Sequence, residues 1–527
     1  MPYTIPNKNC IGCDRCRSQC PTGAIKKDED DYWIDPSLCN ECEGYYPEPL
    51  CKIVCPTNSP MPLQPKKGRC KVQYTEATSP YLFANGKTNP FASSIVIWEA
   101  CNLLSQRTSL FWETDEFDNL CYRRRVKQGR GEINFYMTKS AESEERVKDF
   151  QKIEALNIRA ACINLIFAAH AMSLEEAWKK EFVIDDRQIE KYLGLDKRKD
   201  LTKTAKLVLI KSIIDQTCSL MTSVNWPRQG RIPEFFIPDS RVWHLVELKH
   251  HFQKDELGCK YPVGITFKVR TGEWAKYFLN RQACKERKAF YQYGSLPKSL
   301  LTTVMSIWQQ HEGTVRLMLW LLFKTKMGRE QCITVPTLMR IAYGEKRLTL
   351  ACTDREERKR LLRTYESDLE VLNHHGIKPV FDPVTYPSEI QPLWAKLNHI
   401  PEDPEEALEF WIEDGGGEMR LTDVSPRGKW NMLMNGRIAS FELPLQWQQY
   451  KAEASKKRNL RSRRKTKTVG GLLGEQISQA RKQLNLSQRD LAKLTGKSQS
   501  WIRDIENGRF KAKSEDQNLL RKVLRMA

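Results

Sequence analysis

The sequence predicts a multidomain protein, mainly α with α+β parts: a small cysteine-rich module, a mixed helical middle and an all-α end. Three observations predict it. The chain has 527 residues, and at roughly 150 residues per domain that means three or four domains. Eight of its seventeen cysteines lie within the first 55 residues. Its formal charge of +20, from 85 Lys plus Arg against 65 Asp plus Glu, is uneven: residues 1–60 carry −3, residues 451–467 carry +8 and residues 468–527 carry +6. A positive field focused at one end points to a polyanionic partner there.

Other classes are excluded early. Hydrophobic residues at 40% and charged residues at 28% suit a globular chain rather than a disordered one. The longest apolar stretches, such as Leu317–Phe323, fall far short of the ~20 residues of a bilayer span. The start MPYTIPNKNC has no basic segment followed by an apolar one, so no secretory signal and no membrane partner are expected. A cytoplasmic, nucleoid-associated protein is the expectation.

The first domain is expected at residues 1–65, closed by Pro56, Pro60, Pro62 and Pro65. Its cysteines form two runs, Cys10-x2-Cys13-x2-Cys16-x3-Cys20-Pro21 and Cys39-x2-Cys42-x8-Cys51-x3-Cys55-Pro56. In a chain without an export signal, such a cluster reads as a metal site rather than a disulfide framework. A cubane cluster needs four soft thiolates converging on one point; two-residue gaps wrap three, and the fourth comes from a distant part of the chain. Two zinc sites are the competing reading, but zinc motifs usually pair two Cys-x2-Cys knuckles, and here each run holds four cysteines ending in Cys-Pro.

This segment resembles the bacterial dicluster ferredoxins over about sixty residues, with Pro21-Thr22-Gly23-Ala24-Ile25 matching the turn and apolar cover after the first run. The resemblance implies two 4Fe–4S clusters with crossed ligation, one on Cys10, Cys13, Cys16 and Cys55, the other on Cys39, Cys42, Cys51 and Cys20. The eight-residue gap after Cys42 departs from the shortest pattern, as it does in a ferredoxin subclass that keeps both clusters.

The middle is expected as two domains, 80–270 and 271–450. A short helix (Asp185–Leu193) before a long one (Leu201–Cys218) is echoed about 150 residues later by Pro336–Tyr343 and Asp354–Leu372. Extended segments, Asn225–Ile237 and Gly376–Tyr386, follow each pair. That order suits tandem winged helices, as in some plasmid replication initiators; a helical spacer or dimerisation domain is the alternative. His244, His250 and His251 near Glu247 read as a solvated helix face, and Gly415-Gly416-Gly417 as a flexible turn. No GxSxG, HExxH or kinase-type set is present, and no enzyme is expected.

Residues 451–470 form a basic linker, either plainly solvated or tracking phosphates. In the last domain, 471–527, Leu473, Ile477, Ala480 and Leu484 keep helical spacing. Ser487 caps a helix whose Leu491 and Leu494 face inward, Gly496 permits the turn, and Ser498 caps a second helix with Ile502 and Ile505 inward, ending at Asn507-Gly508. This is a helix-turn-helix.

LSQRDLAKLTGKSQSWIRDIENG resembles the Cro/repressor (XRE-like) family of DNA readers. The resemblance implies a phosphate contact at Gln488, base reading from the second helix at Gln499, Ser500, Arg503 and Asp504 beyond its cap Ser498, and phosphate holding by Arg509, Lys511 and Lys513. Use of the motif for protein contact alone is the alternative.

The whole architecture resembles cyanobacterial regulators of the PatB/CnfR type. The resemblance implies activation of nitrogen-fixation genes under low oxygen, in cells such as heterocysts. Clusters joined to a DNA reader make an oxygen- or redox-responsive switch the expected mechanism, and because Cro-like readers often bind two half-sites a homodimer on promoter DNA is expected, with RNA polymerase or a redox donor as further partners. Two alternatives stand beside it: an electron-transfer protein serving a reductase or nitrogenase, and a replication or DNA-maintenance protein with structural clusters.

Overall fold

The computed structural model describes residues 2–63, 77–114, 120–137, 151–324 except 152, 332–416 except 398, 399 and 402, 426–444 except 427, Trp447, and 474–525 except 510, 511 and 513. The chain divides into two units, Met1–Trp447 and Gln448–Ala527.

In the cysteine-rich module, β1 (Tyr3–Thr4) pairs with β4 (Met61–Pro62) and so closes its two ends together. β2 (Ile25–Asp28) and β3 (Asp31–Ile34) form a tight antiparallel hairpin. Single-turn helices α1 (Arg15–Ser18) and α2 (Leu50–Ile53) carry cysteines. Among the described residues its buried apolar core is Ile5, Ala24, Ile25, Tyr32 and Ile34 beside Cys16, with Tyr3 and Val54 packed against it. A module this small needs a metal or other staple to hold its loops.

The middle builds one continuous core from Leu82 to Ile438. β5 (Thr88–Ala92) pairs with β14 (Tyr293–Pro297), and α3 (Ile95–Gln106) packs on α4 (Ala160–Met172). α4 is apolar on nearly every side, and all of Ala160–Ala171 is buried, as a helix inside a core must be. Its one amide, Asn164, accepts from Trp243 Nε1 at 2.8 Å and donates to the Ile97 carbonyl at 3.2 Å. A five-stranded antiparallel sheet runs β11 (Phe235–Arg241), β10 (Leu220–Trp226), β8 (Gly131–Met137), β7 (Leu120–Val126), β6 (Glu113–Thr114).

Two three-stranded sheets share one plan. In the first, β9 (Glu181–Asp185), α5 (Asp186–Leu193) and α6 (Lys203–Cys218) precede the long hairpin β12 (Trp243–Lys254) and β13 (Lys260–Thr271), and β13 lies between β12 and β9. α7 (Trp274–Phe278), α8 (Arg281–Lys285), α9 (Lys298–Ile307) and α10 (Glu312–Lys324) lead to the second. There β15 (Ile333–Thr334), α11 (Val335–Tyr343), α12 (Glu345–Thr353) and α13 (Arg355–His374) precede β16 (Lys378–Phe381) and β17 (Arg437–Glu442), and β17 is central. α14 (Leu393–Leu397), α15 (Pro404–Gly416) and α16 (Lys429–Asn435) are inserted before β17. The helix starts follow local chemistry: Asp185, Thr202, Thr334 and Asp354 each accept from a backbone N–H of the first turn, satisfying a donor the helix itself leaves free.

Several expectations need correction. The mainly α description of the whole chain is not borne out, because the β-branched and aromatic runs of its mixed middle form long paired strands. A cut between residues 270 and 271 does not match the packing, since β14 pairs back onto β5. His244, His250 and His251 lie on strand β12, not on a helix. An extra helix, α12, stands between the second short and long helices. Gly415 and Gly416 end α15 instead of making a turn, and Gly417 lies outside the described residues. Among the described residues no helix is long and apolar enough to cross a membrane.

The second unit holds α17 (Gly474–Gln483), α18 (Gln488–Thr495), α19 (Gln499–Glu506) and α20 (Ser514–Val523) around Ile477, Leu491, Ile502, Ile505, Leu520 and Leu524. The expected caps are present: Ser487 makes a reciprocal capping box with Asp490, Gly496 has φ 66°, and the Ser498 side chain accepts from Trp501 N–H. Leu494, expected to face inward, is 57% exposed; Thr495 takes the inward place, its hydroxyl bonded to the Leu491 carbonyl at 2.7 Å. Leu473 and the linker 451–470 lie outside the described residues.

Candidate iron–sulfur and DNA-reading sites

The two cysteine runs fold so that their members interleave. Cys10, Cys13, Cys16 and Cys55 line one pocket. Cys20, Cys39, Cys42 and Cys51 line another. These are the two quartets expected from the sequence, and all eight thiols are free. Left-handed backbone makes the tight wraps: Gly12 (φ 68°) and Asp14 (φ 62°) flank Cys13, and Glu41 (φ 61°) precedes Cys42 (φ 63°). A non-glycine residue in that region costs roughly 1–3 kcal/mol, which surrounding structure must offset. Four soft thiolates converging on one point are the donor set of an iron–sulfur cubane.

The thiols are not equivalent. Burial, reinforced by neighbouring Cys10, Cys55 and Cys13, pushes the Cys16 thiol up to about 11. Burial, with Cys39 and Cys42 next, pushes Cys51 up to about 12. These groups become thiolates only when a metal offsets the lost hydration. Burial also acts on Cys20 and Cys55, yet hydrogen bonds outweigh it and both thiols are lowered. The two sites repeat one device: Thr22 Oγ1 sits 3.6 Å from Cys20 Sγ, and Thr57 Oγ1 3.5 Å from Cys55 Sγ. Turns closed by Gly23 N–H to the Cys20 carbonyl and by Asn58 N–H to the Cys55 carbonyl carry each threonine back to the sulfur. The repeated Cys-Pro-Thr in the sequence is the signal that could have revealed these partners.

In the second unit, Gln499, Ser500 and Arg503 are exposed on α19. Asp504 is half-buried and pairs with Arg509 at 3.0 Å and Arg503 at 3.5 Å. Arg489 donates to Gln499 Oε1 at 3.1 Å, and the Ser498 and Ser500 hydroxyls are 3.0 Å apart. Gln488 is turned partly inward and donates to Glu506 at 2.8 Å. Lys511 and Lys513 lie outside the described residues. Trp501 packs at the core's edge with Lys497 over its ring at 5.3 Å.

Sequence reasoning missed what holds α19 in place. Arg481 of α17 grips the Glu506 carboxylate with two nitrogens, at 2.7 and 3.2 Å, and donates to the Leu486 carbonyl at 2.6 Å. Nothing in the spacing of Arg481 and Glu506 announces a pair.

Fold and sites together define a chain that joins a ferredoxin-like iron–sulfur module to a helix-turn-helix DNA-binding domain. Family models agree at both ends: a 4Fe–4S binding domain over residues 3–26 and a helix-turn-helix over residues 477–516. The chain is 51% identical over 59 residues to a ferredoxin-like protein in the nif region of Trichormus variabilis, covering 11% of this chain and 50% of that protein. It is 47% identical over 49 residues to Ferredoxin-3 of Chlorobaculum tepidum, covering 9% of this chain and 79% of that protein. Through its N-terminal module the chain belongs to the 4Fe–4S ferredoxin family, and its cofactors are two 4Fe–4S clusters. It spans about half the length of the first curated relatives it matches. Among solved structures, domains 2 and 3 of RctB align over 52% of this chain and 85% of that one at 13% identity and a TM-score of 0.25, too low to assign a fold.

Proposed function

We propose that this protein is a DNA-binding transcriptional regulator whose iron–sulfur module makes its action depend on oxygen or redox state, and that it performs no catalysis. The carrying observation is that both cysteine quartets converge in a chain that also holds a helix-turn-helix whose second helix exposes Gln499, Ser500 and Arg503. Bound clusters supply reversible one-electron chemistry and oxygen lability. The chain's own residues do the rest. The eight cysteines hold the clusters, Thr22 and Thr57 brace one sulfur in each quartet, and Gln499, Ser500 and Arg503 meet base edges in the major groove of promoter DNA.

Activation of nitrogen-fixation genes at low oxygen, as in the PatB/CnfR type, is the physiological role we infer; the nif-region relatives support it. A homodimer on two half-sites, with RNA polymerase alongside, fits a reader of this kind. The second reading, electron transfer to a reductase or nitrogenase, draws on the module's exposed apolar side chains Ile11, Tyr45, Tyr46 and Ile53, which a docking partner would cover.

Genome-wide binding with and without oxygen tests the proposal. Promoter occupancy that falls in air, and in a Cys10→Ser/Cys39→Ser variant, is the expected outcome. Occupancy that ignores both would leave the clusters without a role in DNA binding.

A further inference from the structure

The iron–sulfur module is packed onto the first of the two three-stranded units. The acids of its β2–β3 hairpin, with Asp35 just after it, meet three lysines drawn from β12, β13 and α6. Asp31 pairs with Lys254 at 2.5 Å and with Lys260 at 3.2 Å, Asp28 pairs with Lys260 at 2.7 Å, and Asp35 pairs with Lys211 of α6 at 2.6 Å. Between the ion pairs, Trp33 lies against His250 and Phe252 of β12, ring centroids 4.9 and 4.8 Å away. Lys211, Lys260 and Trp33 are all largely buried by this contact. The turn joining β12 to β13 is gripped as well. Asn7 donates to the Gly258 carbonyl, Lys8 N–H donates to the Leu257 carbonyl, and a Cβ on Gly258 would sit 3.3 Å from Lys8 N.

With β10 and β11 passing from α6 out into the five-stranded sheet before the chain returns, the unit beneath keeps the strand, helix, helix, hairpin order with its last strand central, which is the order of a winged helix. In that arrangement the long second helix and the hairpin tip are the parts that meet a duplex. Here Lys211 of α6 and Lys254 and Lys260 at the ends of β12 and β13 stand with His250 and Phe252, a composition suited to phosphates; of the two acids in the turn between those lysines, Asp255 and Glu256, Asp255 is turned back to accept from Leu257 and Cys259 N–H. Carboxylates of the module occupy the lysines as phosphates would.

We propose that the face bearing Lys211, Lys254 and Lys260 is a second binding surface for double-stranded DNA, and that the iron–sulfur module occupies it. This rests on the reading of the protein as one that acts on DNA. Each cluster loop has its own hold on that face. Asn7 lies three residues before Cys10, and the Asp35 carbonyl accepts from Cys39 N–H at 3.1 Å while its carboxylate holds Lys211. Disordering either cysteine loop therefore loosens a defined grip on the hairpin or on α6.

The test uses the full-length protein with clusters reconstituted anaerobically. Asp28→Lys/Asp31→Lys should keep its iron and sulfide content, lose amide protection at residues 257–260, and bind a random-sequence duplex with a steeper salt dependence. Each freed lysine that neutralises a phosphate adds about 0.9 to the slope of log K against log salt. A reciprocal variant that adds Lys254→Glu/Lys260→Glu should restore both the amide protection and the shallow slope, which guards against misfolding of the first. Protection lost without a change in slope, or protection never lost, overturns the proposal. Gln499→Ala/Arg503→Ala in each background removes the reading helix from the measurement. If DNA binding vanishes in all of them, this second surface is wrong while the helix-turn-helix stands. If the wild type fails to bind DNA yet the charge-reversed module binds it, the function proposed above fails and this surface stands.

Discussion

Replacing Arg481 by Met should collapse the DNA-reading unit. The Arg481 and Glu506 side chains are 11% and 5% exposed, so removing the guanidinium leaves a buried carboxylate with Gln488 as its remaining polar partner. Breaking a buried pair from one side costs about 3–5 kcal/mol. A unit the size of residues 471–527, at about 0.05–0.15 kcal/mol per residue, holds roughly 3–9 kcal/mol in all, so one substitution removes much of it. The double variant Arg481→Met/Glu506→Leu removes both charges and should recover most of the loss, because desolvation offsets much of what a buried pair contributes. Amide hydrogen exchange at Leu491, Ile502 and Ile505 in the full chain reads the opening free energy, with duplex binding followed in parallel. A cost below about 1 kcal/mol for Arg481→Met, the range of an exposed pair, would refute the argument that this clamp positions α19.

Three further outcomes are expected. Cys51→Ser should halve the iron and sulfide content, because Cys10, Cys13, Cys16 and Cys55 line a separate cavity; metal analysis and EPR check it, and loss of all iron would mean the sites are not independent. His170 is buried beside Phe182 and neither ring nitrogen has a hydrogen-bond partner among the described residues, and burial depresses it to about 3. Its folded form is neutral, so stability is full above about pH 6.5 and falls as pH drops from there toward 3, by about 2 kcal/mol at pH 5. Denaturant titrations of wild type and His170→Phe at pH 7 and pH 5 measure it, and equal pH dependence in the two would contradict it. Gln499→Ala should cost roughly 1–3 kcal/mol on the preferred operator and relax base preference; an unchanged preference by competition binding would move reading away from α19.

The two ends of the chain were legible because their chemistry is local. A Cys-x2-Cys-x2-Cys run, a Ser487 cap with Asp490 three residues on, and a Gly496 that must turn left-handed each state a short-range requirement met in one way. The middle was less legible. Its short–long helix pairs stand close to where the spacing places them, but the partners of its strands are distant: β13 joins β9 across α5 and α6, and β14 reaches back to β5. Hydrophobic period reports that a strand is half-buried; it does not say against what. The histidines of β12 illustrate this. Their spacing suits a solvated face, yet His250 is packed under Trp33 of another module.

By itself the sequence determined the metal chemistry, the reading helix and the separation of negative from positive charge, since each depends on residue identity and near-neighbour spacing. The tertiary structure decided how they are held. The Arg481–Glu506 clamp behind α19 and the seating of Asp28, Asp31 and Asp35 on Lys211, Lys254 and Lys260 join residues far apart in the chain. Such pairings form where packing brings two desolvated groups together, and that information lies in the whole fold rather than in any one segment.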